Sequence, residues 1–117
     1  MVYQFHTKEI PALSQVGGKA KALIETTRAG FPVPEGFVLG VDFFTPWIEK
    51  IKGRDIWKNF LATPTKEACE NLKKQAAGLK FSAKQKTAIE EALKSLPEKD
   101  LFAVRSSSPE ELSLIHI

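Results

Sequence analysis

The sequence predicts a mixed α/β domain whose later part is missing. Three observations carry that expectation. Apolar residues recur at helical spacing in several separate segments. Short apolar runs of strand type stand at Phe37–Leu39 and Leu101–Val104, set off by glycines or polar turns. The elements follow one another as strand, helix, strand, helices, strand, with no internal repeat and no low-complexity linker.

Composition narrows the class. The chain has 117 residues, 43% of them hydrophobic and 26% charged, which is a globular balance and not a disordered one. No apolar run is long enough to span a bilayer, and Lys8 and Glu9 interrupt the N-terminus before any signal-type apolar core could form. A cytoplasmic protein without a signal peptide is expected. Cys69 is the only cysteine, so an intrachain disulfide is excluded; it falls on the apolar side of a helix and reads as a buried, inert thiol. Metal binding through nitrogen or sulfur ligands has no support, with His6 the one histidine outside the atypical tail.

Net charge is +3. Residues 50–100 hold 12 Lys/Arg against 7 Asp/Glu, mostly lysines at helical spacing, with Glu70/Lys74 and Glu90/Lys94 four apart. A nucleic-acid surface would interleave aromatics with such charges. Only Phe81 stands between residues 66 and 94, so a solvated helix face is the reading and no nucleic acid is expected.

Each element has a local cause. Val2, Tyr3 and Phe5 suit a short strand, followed by a loop with Pro11. Gly17 and Gly18 open a helix over 19–29 with Ala20, Leu23, Ile24 and Thr27 on one face, and Gly30 closes it as a left-handed cap. Pro32 and Pro34 force extended backbone, which leads into a buried strand at Phe37–Leu39. Asp42 is placed to cap a helix whose stripe is Phe44, Trp47, Ile48 and Ile51, ended by Gly53. A short amphipathic piece follows over 55–61 with Ile56, Trp57 and Phe60. Thr63 and Pro64 start the next helix, which turns Ala68, Cys69, Leu72, Ala76 and Leu79 inward and ends at Gly78. Ser82 and Gln85 form a capping box for the last helix, whose inward set is Ile89, Ala92, Leu93 and Leu96 before Pro97.

Two constellations carry chemistry. Gly17-Gly18-Lys19 stands at a helix start, where main-chain N–H groups and the helix dipole favour an anion and a lysine adds a flexible positive charge. The same residues also suit a plain glycine turn followed by a surface lysine. They lack the spacing and the hydroxyl of a P-loop, and no GxGxxG occurs. Val104-Arg105-Ser106-Ser107 leaves an apolar strand with a guanidinium fork and two hydroxyls, a set able to hold a phosphate. An arginine packed over a sheet edge beside a serine turn fits equally well.

Taken in order, Val16-Gly17-Gly18-Lys19-Ala20, then Gly30-Phe31-Pro32-Val33-Pro34-Glu35-Gly36-Phe37-Val38, then Phe102-Ala103-Val104-Arg105-Ser106-Ser107 resemble the N-terminal nucleotide-binding domain of the phosphoenolpyruvate synthase and pyruvate phosphate dikinase family. The resemblance spans residues from about 13 to 111. Relatives include rifampicin phosphotransferases and glucan water dikinases. It implies an incomplete ATP-grasp-like domain, which in a full-length parent splits ATP and passes phosphoryl through a histidine on a separate domain to pyruvate. It further implies Lys19 and Arg105 as catalytic, ATP-phosphate-contacting residues, with Gly17, Gly18, Ser106 and Ser107 completing the nucleotide site. Mg²⁺ is implied too, with its carboxylate ligands in a later part of the domain. Ala20-Lys21 and Ser108-Pro109-Glu110-Glu111 depart from the family pattern and leave the subfamily open between phosphoenolpyruvate synthase, pyruvate phosphate dikinase and antibiotic phosphotransferase.

Residues 112–117 break with what precedes them. They back-translate as CTG TCT CTT ATA CAC ATC, which resembles a transposon-library sequencing adapter, so the native part is expected to be 1–111; the alternative is a short apolar strand. A fragment of this kind is expected to be inactive alone, to bind ATP weakly at most, and to expose apolar surface such as Phe37 and Val38. The reading from another class is a non-catalytic helical interaction module built on the basic stretch 66–94. Sequence leaves the oligomeric state open.

Overall fold

The computed structural model describes residues 1–98 and 101–109. It is mostly helical, with one small antiparallel sheet. The order is β1 (Val2–Gln4), α1 (Leu13–Val16), α2 (Gly18–Arg28), β2 (Phe37–Leu39), a 3₁₀ turn (Val41–Phe44), α3 (Thr45–Lys52), α4 (Asp55–Ala62), α5 (Lys66–Ala77) and α6 (Ala83–Lys94).

β1 and β2 pair with Val2 opposite Leu39, Tyr3 opposite Val38 and Gln4 opposite Phe37. The ladder continues by one bond at each end, Phe5 N–H to the Gly36 carbonyl (3.0 Å) and Gly40 N–H to the Met1 carbonyl (2.8 Å). The sheet therefore exists because the proline-stiffened segment 31–36 delivers β2 in extended form beside the chain start. All three β2 residues are half-buried. This corrects the expectation of a buried strand and of exposed Phe37 and Val38, since β1 covers one edge and leaves both faces partly wet.

Helix ends follow local chemistry where that chemistry is complete. α2 ends in a Schellman arrangement: Gly30 at φ +88° turns the chain, its N–H donates to the Thr27 carbonyl (3.1 Å), and Phe31 N–H donates to that of Thr26 (3.3 Å). α6 begins with the expected capping box, Ser82 Oγ accepting from Gln85 N–H (3.2 Å) and Gln85 Oε1 accepting from Ser82 N–H (2.8 Å). Gln85 also donates through Nε2 to the Phe43 carbonyl (2.8 Å), which ties α6 to the 3₁₀ turn.

Other expectations need correction. Asp42 caps no helix; it lies inside the 3₁₀ turn, and its carboxylate pairs with the Met1 ammonium, a full charge that outcompetes a main-chain N–H. α5 is capped by Thr65, whose hydroxyl accepts from Ala68 N–H (3.1 Å), not by Thr63. Glu70/Lys74 and Glu90/Lys94 do not close into ion pairs, whereas Lys21 and Glu25 meet at 4.0 Å. Cys69 is half-buried, not buried. Leu101–Val104 forms no strand: Leu101 is 88% and Val104 94% exposed, because no described strand lies beside them to take up their main-chain hydrogen bonds. The α/β expectation thus reduces to helices plus a two-stranded sheet. The turn residues Lys99 and Asp100, the pair Glu110 and Glu111, and the tail 112–117 with His116 lie outside the described residues.

Among the described residues, buried apolar side chains are few: Val16, Ala20, Ile24, Phe43, Ile51 and Ala92. Of the α2 face, Ala20 and Ile24 are buried while Leu23 is exposed; of the α6 face, Ala92 is buried and Leu93 exposed. Phe43, missed by the stripe reading, packs edge-to-face on Phe44 and Phe81 with ring centroids 5.4 and 5.7 Å away, and Phe44 and Phe81 lie tilted to each other at 6.1 Å. Among the described residues, Ile24 is the one large side chain fully withdrawn from water. Ile24→Ala is expected to cost about 2–4 kcal/mol, the largest single loss in the fold, while Ser82→Ala costs about 1 kcal/mol. Denaturant melts of the two variants check both values; equal effects would count against a core centred on α2.

Candidate functional site

The predicted site residues divide between two places 87 residues apart in sequence, and the fold brings them together. α1 ends when Gly17 N–H donates to the Leu13 carbonyl (2.8 Å), and α2 begins at the next residue, with the Gly17 carbonyl accepting from Lys21 N–H (3.0 Å). One residue must reverse the chain between the two helices. Gly17 does so at φ +79°, ψ 170°, a region essentially closed to residues with a Cβ.

A glycine in that position has no side chain with which to cap the helix it precedes. The cap arrives from the far end of the described chain. Ala20 N–H donates to Ser107 Oγ at 3.1 Å, and Gly18 N–H donates to the Ser108 carbonyl at 3.0 Å. The approach is close enough to exclude any side chain on Gly17: a Cβ there would lie 2.4 Å from Ser107 Oγ and 2.5 Å from the Ser107 carbonyl carbon. Gly17, Gly18 and Ala20 are buried by this contact, whereas Lys19 between them is exposed.

Arg105 and Ser106 precede the contact and are both exposed; Ser107 and Ser108 are half-buried in it. No described residue forms a hydrogen bond or ion pair with the Arg105 guanidinium, while Lys19 and Ser108 do take part in further interactions. The contact bounds the separation of the two cationic residues. Main-chain dimensions put the Lys19 and Arg105 Cα atoms within about 15 Å of each other by the path through Ala20 and Ser107. The two residues therefore start from neighbouring parts of the surface. Gly17, Gly18, Lys19, Arg105, Ser106 and Ser107 stand at or beside the contact.

Sequence reasoning missed the hydrogen bonds that join them. The N–H groups at a helix start need acceptors from outside the helix. Two of them find it in the protein itself. An open surface concavity at the other end of α2, lined by His6, Thr7, Lys8, Thr27 and Arg28, is also rich in cations. Arg28 Nη1 is committed there to the Lys8 carbonyl (2.6 Å), and the carbonyl end of the helix disfavours an anion.

A family model described as pyruvate phosphate dikinase, AMP/ATP-binding domain, matches residues 13–113. The chain belongs to this family. The dikinase match starts at the first residue of α1, so it takes in the whole glycine turn and the whole Arg105 segment and leaves β1 outside. No curated protein and no solved structure matches the chain. Among the described residues no cluster of three or more His, Cys, Asp or Glu is able to hold a metal ion, and no helix is long and apolar enough to cross a membrane.

The Gly17–Ser107 approach gives a direct test of the geometry. Gly17→Ala both enters a forbidden backbone region and collides with Ser107, so it is expected to destabilise the chain by about 2–3 kcal/mol. Gly53→Ala, whose Cβ would meet nothing nearer than 3.5 Å, is expected to be within about 0.5 kcal/mol of the parent. Thermal melts of the two variants compare them; equal stability would contradict the close approach.

Proposed function

We propose that the chain is the ATP-binding part of a phosphoenolpyruvate synthase-like dikinase, with Lys19 and Arg105 as the cations that hold the nucleotide's phosphates. The supporting observation is the direct contact between the glycine-led start of α2 and the Arg105 segment, within a match to an AMP/ATP-binding domain. Phosphoryl transfer demands positioning and charge neutralisation more than covalent assistance, and two cations from separate elements supply both. Lys19 offers a compact ammonium on a flexible stem, suited to a mobile terminal phosphate. Arg105 offers a planar fork, suited to two oxygens of one phosphate. Gly17 and Gly18 let the main chain come close, and the Ser106 hydroxyl beside Arg105 adds a short hydrogen bond.

In the parent enzyme the overall reaction proposed is ATP, pyruvate and water giving phosphoenolpyruvate, AMP and phosphate, with a histidine on a separate domain carrying the phosphoryl group between the two halves. Mg²⁺ accompanies the nucleotide in that reading, its carboxylate ligands lying outside the residues described. The family match favours this over the helical interaction module, because the matched residues include the Gly-Gly-Lys turn and the arginine segment and are not confined to the lysine-bearing helices.

The experiment is an ATP titration of the chain, followed by NMR, with AMP as the comparison ligand. ATP is expected to bind with a dissociation constant on the order of millimolar, shifting resonances of residues 17–20 and 105–107 together. Lys19→Ala and Arg105→Ala are each expected to weaken ATP binding about tenfold, the lower end for a charge-assisted hydrogen bond at an exposed site. Unchanged ATP affinity in both variants, with the fold intact, would overturn the assignment.

A further inference from the structure

The start of α2 is capped by a serine 87 residues away, and that arrangement has a consequence for how a nucleotide is held. Gly18 N–H and Ala20 N–H already donate within the protein, to the Ser108 carbonyl and to Ser107 Oγ. A phosphate could reach those two N–H groups only by displacing Ser107 and Ser108. The buried state of Gly17, Gly18 and Ala20 makes that displacement a disruption of packing as well as of two hydrogen bonds. The exposed groups around the contact are side chains, those of Lys19, Arg105 and Ser106.

We propose that Ser107 is a positioning residue: with Gly17 it clips the Arg105 segment to the start of α2, so that the helix-start N–H groups hold the clip and the Lys19 and Arg105 side chains hold the polyphosphate. The inference rests on the nucleotide reading above and goes beyond it by moving Ser107 from ligand contact to scaffold. Gly17 is the other half of the device. Its missing Cβ is the space that Ser107 occupies, and any side chain there would collide with Ser107 and displace the segment that carries Arg105.

Because the two cations sit on different elements, their separation is set by the clip and not by local chain geometry. A ligand that spans both, such as ATP, is sensitive to that separation; a ligand with a single phosphate, such as AMP, touches one cation at a time. The clip therefore governs preference for a triphosphate over a monophosphate. A merely structural serine would change stability and leave that preference alone.

The test combines amide exchange with nucleotide titration on the full chain and its Ser107→Ala, Ser107→Thr and Ser106→Ala variants. Without nucleotide, the Ala20 amide of the parent is expected to exchange slowly. S107A is expected to speed it about fivefold to tenfold, as for loss of a helix cap. In the same variant ATP affinity falls by a similar factor while AMP affinity holds. S107T, which keeps the hydroxyl, restores both, and S106A leaves Ala20 exchange unchanged. Saturating ATP is expected to leave Ala20 protected in the parent. The inference is overturned if S107A leaves Ala20 exchange or the ATP-to-AMP preference untouched, or if ATP deprotects Ala20 in the parent. Should S107A fail to fold, the parent's Ala20 exchange with and without ATP, together with the titrations of S107T, still decides the matter. Failure of the nucleotide reading itself looks different: no ATP-dependent shift in the parent, with the exchange pattern of the clip intact.

Discussion

The contact between Gly17 and Ser107 is the constraint on which the site depends. It is small, two hydrogen bonds and a close backbone approach, yet among the described residues it joins the two ends of the motif set. Those hydrogen bonds do not close the intervening loop by themselves. Bringing together ends 87 residues apart costs about 4 kcal/mol in the length-dependent part of loop entropy, against about 1 kcal/mol for each net hydrogen bond. The remainder comes from the elements between: Ile24 and Ala20 on α2, Phe43 with its aromatic partners, and the ties of α6 to the 3₁₀ turn and to β1. Gln4 Nε2 reaching Ser95 Oγ at 3.0 Å holds the end of α6 against the sheet, from which the chain runs on toward Arg105. The helices are thus the means by which a distant serine reaches a glycine turn.

What sequence revealed and what it hid divide along the range of the interactions. The Ser82/Gln85 box and the Gly30 turn were legible because every atom involved lies within a few residues, and both formed as local chemistry requires. Asp42 was misread for the complementary reason. Its neighbourhood in sequence suited a cap, but the Met1 ammonium, 41 residues away, offers a full charge. The same non-locality hid the cap of α2. A glycine before a helix says only that no side-chain cap is present at that position; nothing in residues 13–20 tells which acceptor replaces it. The six candidate site residues were legible through the resemblance, while the bond that brings them together was not.

The segment Leu101–Val104 shows a different limit. Its composition is that of a strand, yet strand conformation has no internal hydrogen bonds and exists only against a partner. Helices such as α5 and α6 close their own main-chain bonds and form even with half-exposed faces. A sequence pattern therefore reports a helix more faithfully than a strand. The exposed Leu101, Phe102 and Val104 mark apolar area that a helix of the same exposure would not leave with unpaired backbone.

The division of labour at the site follows from the same physics. Main-chain N–H groups at a helix start are rigid, and once used to fix a neighbouring segment they make a firm frame. Cationic side chains are long and adjustable, and they suit a ligand whose phosphates change position and charge during transfer. Exposed cations are strongly screened, so a pair of them on an open surface attracts a nucleotide only weakly, more weakly still as salt rises. In the proposed reading, their value lies in being carried by segments that the contact ties together. A lysine and an arginine on unconnected elements would bind phosphates as any basic surface does. In the proposed reading, joining them through Gly17 and Ser107 lets a ligand that bridges both cations be told from one that meets a single cation.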